Sequence, residues 1–241
     1  MNTTIIHTQS PEFHALPVFF ISLIAVSTGL VWALIFGRGD RRRTVTLVLG
    51  VAAVLIVSAA LARSGKLATF GRVPPPMAIM MVTVLLGSLA LGLSRFGSDA
   101  AWRVSLVELI GLQAFRLPLE QVMHLGGERG IVPVEMTYAG YNFDIVTGFG
   151  AVLLLIAFKR KRNVPRLAVW IWNVWGMAAL AVIAVVAVMS SPMFRAFGED
   201  PAHVNTWVLF PPYVWVPTVL VPIAISSHII ITRKLLREGR R

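Results

Sequence analysis

The chain has 241 residues, is 56% hydrophobic and only 14% charged, where a water-soluble domain sits near about 45–50% apolar and about 25% charged, so a soluble globule is excluded. The net charge of +11 would suggest nucleic acid in a soluble protein; here it reads as basic loops resting on anionic lipid, with the bilayer as partner and no nucleic acid. The absence of cysteine removes disulfides and thiolate metal sites from consideration.

The first thirteen residues hold no Lys or Arg and include Glu12. The apolar run after them is too long for a signal-peptide core and lacks a clean cleavage site, so a retained helix with a translocated N-terminus is expected. Seven apolar stretches then alternate with short basic clusters, over residues 15–36, 44–62, 77–93, 104–124, 141–158, 167–189 and 212–232. Each has roughly the length that an α-helix needs to cross about 30 Å of hydrocarbon. The connections are short, so one integral membrane domain over 1–241 is expected, with fold class all-α: a seven-transmembrane-helix bundle.

The basic residues orient it. Sixteen Lys and Arg follow spans one, three, five and seven, against five (Arg63, Lys66, Arg72, Arg129 and Arg195) on the other side. Arg116 lies within a span. This bias predicts an external N-terminus and a cytoplasmic C-terminus in the cell inner membrane, multi-pass. Trp32, Trp102, Trp170 and Trp172 fall near the expected inner boundary, and Trp207 and Trp215 near the outer one.

Span four, VSLVELIGLQAFRLPLEQVMH, carries the most polar residues. On a helix, Gln113, Arg116, Glu120 and His124 fall within about 80° of one another and form a stripe about 16 Å long toward the outer surface. Arg116 and Glu120 are one turn apart and can pair, as can Glu120 and His124. Glu108 points elsewhere, to snorkel or to meet Arg103. Charges at membrane depth cost roughly 2.5–3.5 kcal/mol each and face the bundle interior with partners. Pro118 frees the carbonyl of Ala114 and predicts a kink between Arg116 and Glu120. In span five, residues 145–158 supply only about 21 Å of helix, which draws Asn142 and Asp144 into the outer membrane. Asn142 as N-cap with Asp144 in the first turn is one reading; Asp144 as partner of Arg116 or His124 is compatible with it.

The ligand- or proton-binding candidates are therefore Gln113, Arg116, Glu120, His124, Asn142 and Asp144. Glu12, His14 and His203 could add metal ligands on the same side, but no short ligand spacing supports this, and neither a metal nor a cofactor is expected. Span seven is interrupted by Pro217 and Pro222, with Ser226, Ser227 and His228 toward its inner end. A retinal Schiff base needs a Lys inside span seven, and Lys234 lies beyond it.

The segments QAFRLPLE (Gln113 to Glu120), NFDIVTG (Asn142 to Gly148) and FPPYVWVPTVLVPIAISSH (Phe210 to His228) resemble a group of uncharacterised bacterial polytopic membrane proteins. The resemblance covers spans four to seven and implies a fold without a mechanism. Three functions stand open: binding or transport of a small polar or anionic solute, a non-catalytic membrane subunit or sensor with a protein partner, and a membrane-embedded enzyme. Small-residue faces at Gly87, Gly92 and Gly148 suit close helix contact under any of them.

Overall fold

A computed structural model describes residues 15–71, 73–160 and 163–239; Glu12, His14, Arg72, Lys161, Arg162, Arg240 and Arg241 lie outside them. Among the described residues the chain is all-α: α1 (Ala15–Gly37), α2 (Arg41–Arg63), α3 (Pro76–Leu93), α4 (Arg95–Arg103), α5 (Leu106–Leu112), α6 (Arg116–Glu128), α7 (Asp144–Lys159), α8 (Arg166–Met189) and α9 (Val221–Glu238). Five helices are long and apolar enough to cross a membrane: Leu16–Gly37, Arg41–Arg63, Pro76–Leu93, Arg166–Met189 and Val216–Glu238.

Expected spans four and five are not among those five. Span four is broken: α5 gives way to a 3₁₀ turn over Gln113–Phe115 before α6 begins at Arg116. Pro118 cannot donate to Ala114, so the ladder fails one turn upstream of it, and the expected kink is a change of helix type. α6 also runs on to Glu128, beyond the expected end at residue 124 and through Gly126 and Gly127. Span five is α7, only 16 residues. The connection after span three is itself a helix, α4, whose N-cap Ser94 accepts a hydrogen bond from Gly97 N at 3.3 Å. Its nine residues are too few and too polar for a span-length pattern to register.

α9 is the centre of the bundle. More than half of its spanning window is buried (56%), against 11% for Arg41–Arg63. It packs on α3, α4, α5 and α8, while α1 lies on α2 and α6, and α7 on α5, α6 and α8. A π-helical turn over Val216–Leu220 leads into it. Pro217 and Pro222 each remove an amide donor from this stretch, and the wider turn accommodates the gaps.

The basic residues at the C-terminal end of α9 do more than face lipid. Arg233 Nη1 donates to the carbonyls of Gly92 and Ser94 at 2.7 and 3.0 Å, Lys234 Nζ to that of Ala101 at 3.2 Å, and Arg237 Nη1 to that of Ser98 at 3.0 Å. They strap α9 to the end of α3 and to α4. Arg43 and Arg103 share Asp99 at 2.7 and 3.0 Å, and the Arg43 hydrogen bond holds the Asp99 carboxyl below the usual range. Glu108 pairs with Arg38 rather than Arg103, and closes a capping box with Ser105 at the start of α5.

Close approach of α3 and α9 depends on Gly92, where a Cβ would meet Ile229 Cβ at 2.9 Å; at Gly87 it would meet nothing within 4 Å. Gly148 is equally tight, its would-be Cβ lying 3.1 Å from the Arg116 carbonyl carbon. Of the three expected small-residue contacts, Gly92 and Gly148 are contacts and Gly87 faces outward. Replacing Gly92 by Ala should destabilise the protein by about 1–3 kcal/mol through overpacking. Gly87→Ala should be neutral or stabilising by up to about 1 kcal/mol. Reversible unfolding in detergent micelles distinguishes the two.

Candidate functional site

Two apolar clusters meet along the broken helix. Leu109, Ile110 and Leu112 belong to one, with Phe36, Trp172 and Ile230. Leu119, Val122 and Met123 belong to the other, with Ile24, Trp207 and Leu220. Arg116 falls between them in the chain and is buried, with 1% of its surface exposed.

Its Nη1 donates to Asp144 Oδ1 at 3.2 Å. The depth of Asp144 follows from the shortness of α7: the helix starts at Asp144 itself, inside the packed bundle. The N-cap residue is Phe143, not Asn142, but Asn142 still caps, its Oδ1 accepting from Asp144 N at 3.1 Å. The Asn142 amide nitrogen donates to Glu120 Oε2 at 2.7 Å and to the Met136 carbonyl at 3.0 Å. Asn142 thereby links the Glu120 carboxylate to the backbone start of α7 at Asp144, from the loop that joins α6 and α7. Glu120 does not take the Arg116 hydrogen bond that their spacing suggested; Asp144 does, while Glu120 lies within electrostatic reach.

Gln113 is buried in the 3₁₀ turn, and its Nε2 donates to the Ala224 carbonyl of α9 at 3.3 Å. His124 stands apart from the other five candidates. It stacks on Tyr138 with ring centroids 4.2 Å apart and pairs with Glu128 at 3.7 Å, at a partly exposed position two turns beyond Arg116. His203 pairs with Glu135 at 2.6 Å between two loop turns. His124 and His203 thus go to separate partners, Glu12 and His14 lie outside the described residues, and among the described residues no group of three or more converges as a metal-ligand set.

The uncharged polar residues on α7, α8 and α9 went unread as site residues. Thr147, Asn173, Ser226, Ser227 and His228 are all fully buried. A lone amide such as Asn173 inside an otherwise apolar helix was the available signal. Around the junction of α6, α7 and α9, Arg116 Nε and Nη2, Gln113 Oε1, Thr147 Oγ1, Ser227 Oγ and His228 Nε2 have no hydrogen-bond partner among the described residues. Buried polar groups of native proteins are overwhelmingly paired with protein or with water, so each of these atoms has hydrogen-bonding capacity left over.

Because Asp144 is the one carboxylate bonded to a buried guanidinium, Asp144→Asn should destabilise the protein by about 3–5 kcal/mol, whereas an Arg116→Met, Asp144→Leu double variant should recover much of that loss. Equilibrium unfolding in micelles of the single and double variants measures both.

Residues 73–236 match the model of a domain of unknown function, DUF8737. No curated protein and no solved structure matches the chain.

Proposed function

This chain belongs to the DUF8737 family, and we propose that it binds or carries a small anionic solute, best a carboxylate, at the buried Arg116 of a multi-pass inner-membrane bundle. The bundle crosses seven times in this reading: five long helices, the broken α5–α6 segment, and α7 extended by the loop before it. The excess of Lys and Arg after alternate spans supports an external N-terminus and a cytoplasmic C-terminus.

One observation carries the reading: the unused edge of the Arg116 guanidinium. Nη1 is committed to Asp144, while Nε and Nη2 are buried without a partner. Those two nitrogens lie on one side of the planar group and point two parallel N–H bonds outward, the geometry that grips a carboxylate through both oxygens. A lysine at the same place would offer charge without the fork. Charge balance adds a condition. Arg116 already faces Asp144 and Glu120, so a further negative charge in this low-dielectric interior requires a proton to arrive with it. Solute binding is therefore coupled to protons.

Equilibrium binding of radiolabelled acetate, lactate and succinate to the purified protein tests the reading. At least one should bind, Arg116→Gln should abolish binding, Arg116→Lys should weaken it at least about tenfold, and Glu128→Gln should change nothing. If none binds, or if Arg116→Gln binds like the parent, the charged cluster is a structural lock of a membrane subunit or sensor.

A further inference from the structure

The buried polar groups of α8 and α9 have no part in the anion grip just described. His228 of α9 is fully buried, and its Nδ1 lies 2.8 Å from Asn173 Oδ1 on α8. The Asn173 amide nitrogen donates instead to Thr232 Oγ1 at 2.8 Å and to the His228 carbonyl at 3.4 Å. With its nitrogen facing two acceptors, Asn173 can turn only its oxygen to the ring, so Nδ1 carries the hydrogen. Neutral His228 must then present Nε2 as a bare lone pair. That atom is buried and unpartnered among the described residues.

Nε2 packs against Gly176 of α8, where a Cβ would lie 2.6 Å from it and 2.8 Å from the Thr147 methyl, so the imidazole and Thr147 come together over a position that only glycine can hold. Thr147 is one residue from Gly148, which packs on the Arg116 backbone. Thr147 Oγ1 and Ser227 Oγ, also unpartnered, lie along the same stretch. α8 turns Trp172, Asn173 and Gly176 toward the ring and α7 turns Thr147; the charged group that acts on it is Arg116 of α6. A proton acceptor and an open anion-gripping edge thus stand in one sealed interior.

We propose that His228 Nε2 takes the proton of the small carboxylic acid whose carboxylate Arg116 grips. The acid O–H bond breaks, the Nε2–H bond forms, and the electron pair of the broken bond stays on the carboxylate. The solute is then held between a guanidinium and an imidazolium, and the net charge of the site is unchanged. Nδ1 keeps its hydrogen on Asn173 throughout. This inference rests on the anion reading above and names where its accompanying proton goes.

The test is acetate binding by calorimetry across pH 6.5–8.5, in buffers of different ionisation enthalpy. The parent protein should take up one proton per acetate, so affinity falls about tenfold per pH unit. His228→Gln should bind at least tenfold more weakly at the acid end and lose the pH slope. A slope that persists in His228→Gln places the proton on a carboxylate and overturns this inference while leaving the anion reading standing. Arg116-dependent binding with no slope in the parent overturns this inference and the proton coupling together, and leaves only the Arg116 anion grip standing. Absence of acetate binding by the parent overturns both. Should His228→Gln fail to fold, ¹⁵N spectra of histidine-labelled parent protein decide. Nε2 should be unprotonated without acetate and protonated with it; an Nε2 signal that acetate leaves unchanged overturns the proposal.

Discussion

A guanidinium with 1% of its surface exposed has no water to solvate it, and the middle of this protein is organised around that fact. Removing one partner of such a pair costs more than the pair is worth, because the remaining charge stays buried. Asp144 must therefore reach the depth of Arg116. It does so because α7 begins late, at Asp144 itself, and because Gly148 lets the α7 backbone close onto Arg116 and Leu117. A side chain at Gly148 would hold the two helices apart at the level where the ion pair forms. The short α7 and the glycine are thus one device.

The irregular backbone nearby follows from the same need. A straight helix through span four would bond every carbonyl to its own ladder. Pro118 prevents that, and the resulting 3₁₀ turn places Gln113 where its amide reaches the Ala224 carbonyl of α9. On α9, Pro222 leaves its carbonyl to the Ser226 hydroxyl at 2.6 Å, and Thr218 returns its hydroxyl to Val214 at 2.7 Å. Non-regular backbone survives at membrane depth only where protein satisfies it, and the Tyr213 carbonyl that Pro217 leaves free accepts from Val216 N at 3.0 Å. At the C-terminal end Arg233, Lys234 and Arg237 fasten the same helix to carbonyls of α3 and α4. The central helix is held at its base and left irregular near the polar junction.

The apolar runs made the helical class and the bounds of three long helices readable, because spans need length and hydropathy and little else. α1, α3 and α8 begin and end within one residue of expectation. α2 starts earlier, at Arg41, because Asp40 accepts from Arg43 N at 3.0 Å and pulls three arginines into the first turn. α4 was illegible because nine mixed residues carry no membrane-span signal; its helix shows only in the Ser94 cap and the apolar Phe96, Ala100 and Ala101 turned inward. In the site, charge made Arg116, Glu120 and Asp144 stand out, since each is costly in hydrocarbon and demands explanation. Helical phase alone added His124 to the same stripe. It is directed instead to Tyr138 and Glu128, at a partly exposed position near the end of α6. Thr147 gave no signal, since hydroxyls in membrane helices ordinarily bond their own backbone; Ser227 stood out only as part of the proline-interrupted span seven.

Both Thr147 and Ser227 decline that ordinary solution. Ser22, Ser58, Thr83 and Ser88 all return their hydroxyls to a carbonyl four residues back. Thr147 and Ser227 do not, and they do not at the level where His228 and Arg116 also leave atoms unpaired. A structural ion pair gains most when the guanidinium fork meets both carboxylate oxygens. Arg116 spends one nitrogen on Asp144 and keeps the two-pronged edge open. Asn142 takes Glu120 through a 2.7 Å hydrogen bond, so the second carboxylate has a neutral partner and the guanidinium does not. The interior has enough partners to keep the charges in place and too few to saturate them, which is the condition the proposed anion grip requires.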